Sequence, residues 1–187
     1  MTTPSFFGHM TAPTITVDEL WETIDDFIFL GTEDRKNFTF PAIDFDDNSM
    51  LVLIFDGSVG VNPQFQIQVN NITTDTYRMD GRRIANGVET IIDLNGSNQF
   101  VPLQSIMTQS GKPLHMIVYF QLNKAGSNTL LGMQSFANSL EFRGNENQSG
   151  VLITNITSIT SLLFSLSNFR LFDVGSRVTL YRVKRKL

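Results

Sequence analysis

The chain offers few side chains able to do covalent chemistry. It has two histidines and no cysteine. Thiol catalysis, disulfides and cysteine-ligated metal are therefore excluded. His9 and His115 are too few for a histidine-rich metal site and lack the H-E-x-x-H spacing. His115 opens an apolar stretch and reads as structural. No G-x-S-x-G elbow accompanies it, which argues against a serine hydrolase. Asp25 and Asp26 form one acidic pair, and Asp44, Asp46 and Asp47 a second group. Carboxylates in loops hold calcium, but the twelve-residue EF-hand pattern is absent and a solvated turn accounts for the second group. Adjacent aspartates also do not establish the two-sided separation that glycoside hydrolysis needs. Neither a P-loop nor a G-x-G-x-x-G fingerprint occurs, so no nucleotide cofactor is expected.

What remains is recognition. Arg78, Arg82 and Arg83 cluster beside Tyr77, suited to a sialic acid, a phosphate or an intersubunit carboxylate, or simply to a solvated turn. Phe6 and Phe7 are the only bulky side chains of a Pro-, Gly- and Thr-containing segment. These five, Phe6, Phe7, Arg78, Arg82 and Arg83, are the candidate partner-binding residues. Tyr77, Phe100, Phe136 and Phe169 are the aromatic candidates for a sugar-binding loop, although phenylalanine is more often core. Arg182, Lys184, Arg185 and Lys186 form a small basic tail. Asn-x-Ser/Thr triplets at Asn37, Asn71, Asn95, Asn147 and Asn155 matter only on a secretory route. No catalytic, cofactor or metal residues are assigned.

The elements that must carry these residues are strands. The 187-residue chain has 16 phenylalanines, only 17% charged residues and a net charge of −4. The acidic balance argues against general nucleic-acid binding. No run of 18 apolar residues predicts a membrane span, and Met1–Pro13 lacks a signal-peptide pattern. Residues 1–16 read as an N-terminal arm and 17–187 as one β domain. Thr16 and Glu19 suggest a capping box for a short helix over 17–26, in competition with a strand through 26–30. Phe65, Ile67 and Val69 alternate with three glutamines, the signature of a half-buried strand. Phe38, Phe40 and Ala42 share one parity. Met50–Phe55 and Leu114–Leu122 are apolar on both parities, so both faces need cover. Asp56-Gly57, Asp80-Gly81, Asn95-Gly96 and 124–128 read as turns, and 143–150 as a polar loop. Residues 100–107 read as a connection or helical turn, and Leu130–Phe142 as two short strands or one bent strand. In the last strand Val178 and Leu180 should face the core, with Arg177, Thr179 and Tyr181 outward. Eight to ten strands without helical crossovers predict an all-β, antiparallel two-sheet sandwich of jelly-roll type.

Ile156–Leu166, followed by Phe172–Val183 with its Gly175-Ser176-Arg177-Val178-Thr179-Leu180-Tyr181 run, resembles the closing hairpin of tailed-bacteriophage virion β-sandwich domains. These occur in tail fibres, receptor-binding proteins and capsid-surface proteins. Val178 stands where that family usually has an aromatic residue. The likeness extends back to about Asp26, through Phe38–Phe55 and Phe65–Asn70. It implies a non-enzymatic virion protein, made in the host cytoplasm and built into the particle surface as a homo-oligomer, trimers being common. Capsid decoration or a head-fibre component is the first expectation. A tail or baseplate protein that recognises host-surface carbohydrate is the alternative. The expected partner is the major capsid protein or a neighbouring virion protein, and the arm would attach the domain.

Overall fold

A computed structural model describes residues 21–44, 49–60, 64–74, 77–85, 88–103, 112–125, 128–139, 144–152 and 156–184. These form twelve strands: β1 Trp21–Ile28, β2 Arg35–Asp44, β3 Ser49–Gly57, β4 Phe65–Val69, β5 Tyr77–Ala85, β6 Val88–Ser97, β7 Phe100–Leu103, β8 Leu114–Ala125, β9 Asn128–Ser139, β10 Gly144–Leu152, β11 Ser158–Leu166 and β12 Arg177–Lys184. An eight-stranded sheet has the order β1-β12-β3-β8-β9-β10-β5-β6, and a four-stranded sheet the order β2-β11-β4-β7. All pairings are antiparallel. The all-β two-sheet sandwich expected from the sequence is therefore what the chain forms. The proposed arm, with Phe6 and Phe7, lies outside the described residues, as do the capping-box residues Thr16 and Glu19. Residues 21–26 of the alternative helix are strand.

Alternation explains the layers. Phe65, Ile67 and Val69 are fully buried while Gln64, Gln66 and Gln68 are half-buried. Leu51, Leu53 and Phe55 from β3, Met116, Val118 and Phe120 from β8, and Val178 and Leu180 from β12 line the facing sheet. Between the sheets Phe29 stacks on Phe172 at 3.8 Å, and Phe55, Phe65, Phe164 and Phe172 pack at 5.2–6.1 Å between centroids. Burial of each such ring contributes roughly 1.5–3 kcal/mol, which makes this cluster the main source of cohesion. Polar ties also cross between the sheets, the Ser135 hydroxyl of β9 donating to Pro102 O of β7 at 2.7 Å among them. The Val69 N–H of β4 donates to the buried Tyr77 hydroxyl of β5 at 2.9 Å.

Several local expectations are corrected. Asp80-Gly81 is not a turn but the middle of β5, bonded on one side to β6 and on the other to β10. Ala85 pairs with Val88, so β5 and β6 form a hairpin that reverses after Ala85 rather than at Asp80-Gly81. Asn95-Gly96 does not end β6. The register shifts by one residue there, between Arg78↔Asn95 and Tyr77↔Ser97, so Gly96 sits in a bulge. Residues 144–150 belong to β10, paired on both sides despite their polarity. Phe100–Leu103 is a strand rather than a helical turn, and Asn128–Ser139 is a single strand. Asp56 and Gly57 remain in β3 opposite His115 and Leu114. A side chain on Gly57 would meet Ser176 at 2.4 Å. In β2 the register shifts around Pro41, so Phe38, Phe40 and Ile43 are buried while Ala42 is exposed. Pro41 has no N–H to bond, which places the irregularity there.

Candidate partner-binding face

The closing motif is a clasp. Gly175 takes φ +83°, a left-handed conformation at no Cβ cost. Its N–H donates to Phe29 O at 2.9 Å, and the Phe29 N–H donates to Ser176 O at 2.8 Å. The buried Ser176 hydroxyl accepts from Ser58 N–H at 3.0 Å and donates to Ser58 O at 2.8 Å. Arg177 Nε donates to Asp26 at 2.7 Å, and its second guanidinium nitrogen bonds the other carboxylate oxygen. The Thr179 hydroxyl donates to the same carboxylate at 2.8 Å. Donation from Arg177 outweighs burial and holds the Asp26 carboxyl below its ordinary value of 3.8. Tyr181 meets Trp21 edge to face at 5.5 Å. Every matched motif residue except Leu180, which is core, thus fastens β12 to β1 or to the end of β3. None is positioned as a nucleophile or proton donor to a cleft.

The outer face of the large sheet carries the remaining side chains of interest. Val52 is fully buried there although it belongs to the outward parity of β3. It sits opposite Tyr181 on one side and Tyr119 on the other. On the second face of Met50–Phe55, Val52 is thus flanked by an aromatic side chain on each neighbouring strand. Further along, Tyr119 meets Phe136 at 6.1 Å with the rings 78° apart. Tyr119, Gln134, Ser149, Asp80 and Asp93 form one cross-strand row, and Gln121, Gly132, Val151 and Arg78 the next. Two open depressions follow these rows. One of about 230 Å³ is lined by Tyr119, Gln121, Gly132, Met133, Gln134 and Ser149. The other, of about 630 Å³, is lined by Arg78, Asp80, Ile91, Asp93, Ser149 and neighbouring backbone. Ser149 belongs to both.

The structure divides the predicted residues. Arg78 and Arg82 share the outward parity of β5, and both are exposed. Arg82 is held by Glu89 at 2.7 Å. Arg83 has the opposite backbone parity, at the register position of Glu146 and Thr90. Of the aromatic candidates, Tyr77 and Phe100 are fully buried, whereas Phe136 is 40% and Phe169 83% exposed. Burial pushes the Tyr77 hydroxyl up to about 12. Phe100 lies so close to β10 that a side chain on Gly150 would meet its ring at 2.7 Å. Phe169 follows Asn168 in a 3-10 turn, and both hold positive φ, 52° and 58°. Leu171 and Val174, in the segment that joins β11 to β12, and Ile28 and Leu30, at the end of β1 and just after it, are exposed as well. His115 bonds Asp56 on the outer face. Asp25 pairs with Lys36 at 2.7 Å. Asp46 and Asp47 lie outside the described residues. Among the described residues, no three His, Asp or Glu side chains are grouped to share a cation.

Tyr119, Gln121, Gln134 and Ser149 were not singled out by sequence reasoning. The signal was present. The turn read over 124–128 in the sequence implies a β8–β9 hairpin, and the register observed sets Tyr119 against Gln134. No protein-family model matches the chain, and a search of curated proteins returns no match.

Proposed function

We propose that the chain is a non-enzymatic structural protein of a tailed-bacteriophage virion, a capsid-surface decoration or head-fibre component built on a jelly roll. The observation that carries this reading is the clasp around Gly175–Tyr181. The residues that resemble the phage closing hairpin lock the fold and leave no group over for catalysis. The strand order supports the jelly-roll part. Without β5, β6, β9 and β10, the sheets read β1-β12-β3-β8 and β2-β11-β4-β7. That is the nested four-on-four arrangement of two Greek keys. In this reading the arm, through Phe6 and Phe7, attaches a homo-oligomer, a trimer by analogy, to the major capsid protein or a neighbouring virion protein.

A second reading is favoured by the exposed Phe136 and the outer-face depressions: a tail or baseplate protein that recognises host-surface carbohydrate. Cryo-electron microscopy of purified particles separates the two placements. Density over the shell lattice is expected, and density confined to the tail overturns capsid decoration. Deleting residues 1–16 should reduce particle attachment with the circular dichroism spectrum unchanged, and undiminished attachment overturns the role of the arm.

A further inference from the structure

We propose that the two joined depressions on the outer face of β8, β9, β10, β5 and β6 form one binding groove for a neutral oligosaccharide, laid across the strands with one sugar ring against Tyr119. The proposal deepens the carbohydrate-recognition reading and does not depend on where the protein sits in a particle.

The chemistry of the lining selects the ligand. Tyr119 and Phe136 meet nearly at right angles and form an aromatic corner. The C–H face of a sugar carries slight positive charge, which an aromatic face attracts. Gln121, Gln134 and Ser149 surround that corner. Amides and a hydroxyl both donate and accept, as sugar hydroxyls require. Gly132 adds no side chain to the row between Gln121 and Val151, which leaves the floor low. The smaller depression, about 230 Å³, is below the range of drug-sized pockets and suits a single ring. The adjoining one continues the path past Ser149 to Arg78, Asp80 and Asp93. Five strands at about 4.8 Å spacing give a path of roughly 19 Å, long enough for several linked sugars.

Charge decides against an acidic glycan. Among the described residues, no ionic side chain lines the smaller depression. In the larger one Arg78 faces two aspartates, Asp80 and Asp93. Arg82 is already held by Glu89. A sialic acid or a phosphate would have to lie beside the carboxylates of Asp80 and Asp93, whereas carboxylates and guanidinium groups both hydrogen-bond neutral hydroxyls well.

The test applies the isolated full-length chain to a printed array of neutral and acidic bacterial surface oligosaccharides, then titrates the best neutral binder by calorimetry. Neutral oligosaccharides should bind, and Gln134→Ala and Tyr119→Ala should each weaken binding at least about tenfold, roughly 1.4 kcal/mol. Tyr119 also stands opposite the buried Val52, so Tyr119→Ala removes cover from the sheet as well. Ser149→Ala, at an exposed position shared by the two depressions, is the second variant and should weaken binding without moving the thermal midpoint. Three outcomes overturn the groove: no neutral oligosaccharide bound, binding confined to acidic glycans, or affinity unchanged in Gln134→Ala and Ser149→Ala. None of these bears on capsid placement, which the particle imaging decides separately.

Discussion

Tyr77 shows how one side chain serves two layers. It adds a fully buried ring to the core, and its hydroxyl satisfies the Val69 N–H in the opposite sheet. Tyr77→Phe keeps the ring and orphans that N–H, so chemical denaturation should report a loss of about 1–3 kcal/mol. The hydroxyl is also pushed up to about 12 by burial, against 10 in the unfolded chain. The folded state thus holds the proton more tightly. This contribution is complete below pH 10 and is lost as pH rises through 12, an effect on the order of 2–3 kcal/mol. The stability gap between wild type and Tyr77→Phe should narrow across that window, and a constant gap would refute the assignment. Phe169 is the converse case, exposed and left-handed. Glycine tolerates that conformation, so Phe169→Gly should raise the thermal midpoint, by up to about 1 kcal/mol in stability. A drop would show that the ring packs usefully. The role of Tyr77 was not legible beforehand, whereas the exposure of Phe169 on a loop was among the expectations. An aromatic residue in a strand looks the same whether it ends in the core or on a surface, and only the register of its neighbours decides. Hence Tyr77 and Phe100 read as surface candidates alongside Phe136.

At the scale of elements, the clasp around β12 makes a pH prediction of its own. Asp26 lies below its ordinary value because Arg177 and Thr179 bond its carboxylate. A lowered folded value means that the carboxylate form is favoured by folding. Its contribution is therefore complete above the unfolded value near 3.8 and fades as pH falls through the lowered folded one. Asp26→Asn should reduce stability at neutral pH, modestly because the pair is exposed, and the difference from wild type should shrink in acid melts below about pH 4. A difference that persists undiminished would assign the effect to packing. Arg177–Tyr181 departs from the alternation expected of it, because Thr179, read as outward, is buried with its hydroxyl on Asp26. Phe65–Val69 was legible from sequence because its apolar parity meets the core and its glutamines do not. β10 was not, because its pairing on both sides is a property of its neighbours and its own side chains carry no alternation. The glycines were misread as turns: Gly81 continues a strand without a break, and Gly96 makes a bulge.

For the whole molecule, the sandwich followed from composition and strand count, whereas the unequal sheets did not. Two hairpin excursions, β5-β6 and β9-β10, widen one layer from four strands to eight, and the proposed groove lies mainly on that widening. Register across five strands brings its residues together, so no local window of sequence contains it. β1 and β12 are also neighbours along their full length, with Trp21 opposite Val183. Whatever precedes Trp21 and follows Val183 therefore leaves from a single corner of the molecule. A tether through either segment would hold the domain there and swing its far edge, seven strand spacings or roughly 34 Å away, outward. Tension applied to both segments at once would unzip β1 from β12 one bond at a time. Tension on one alone would load the whole sandwich.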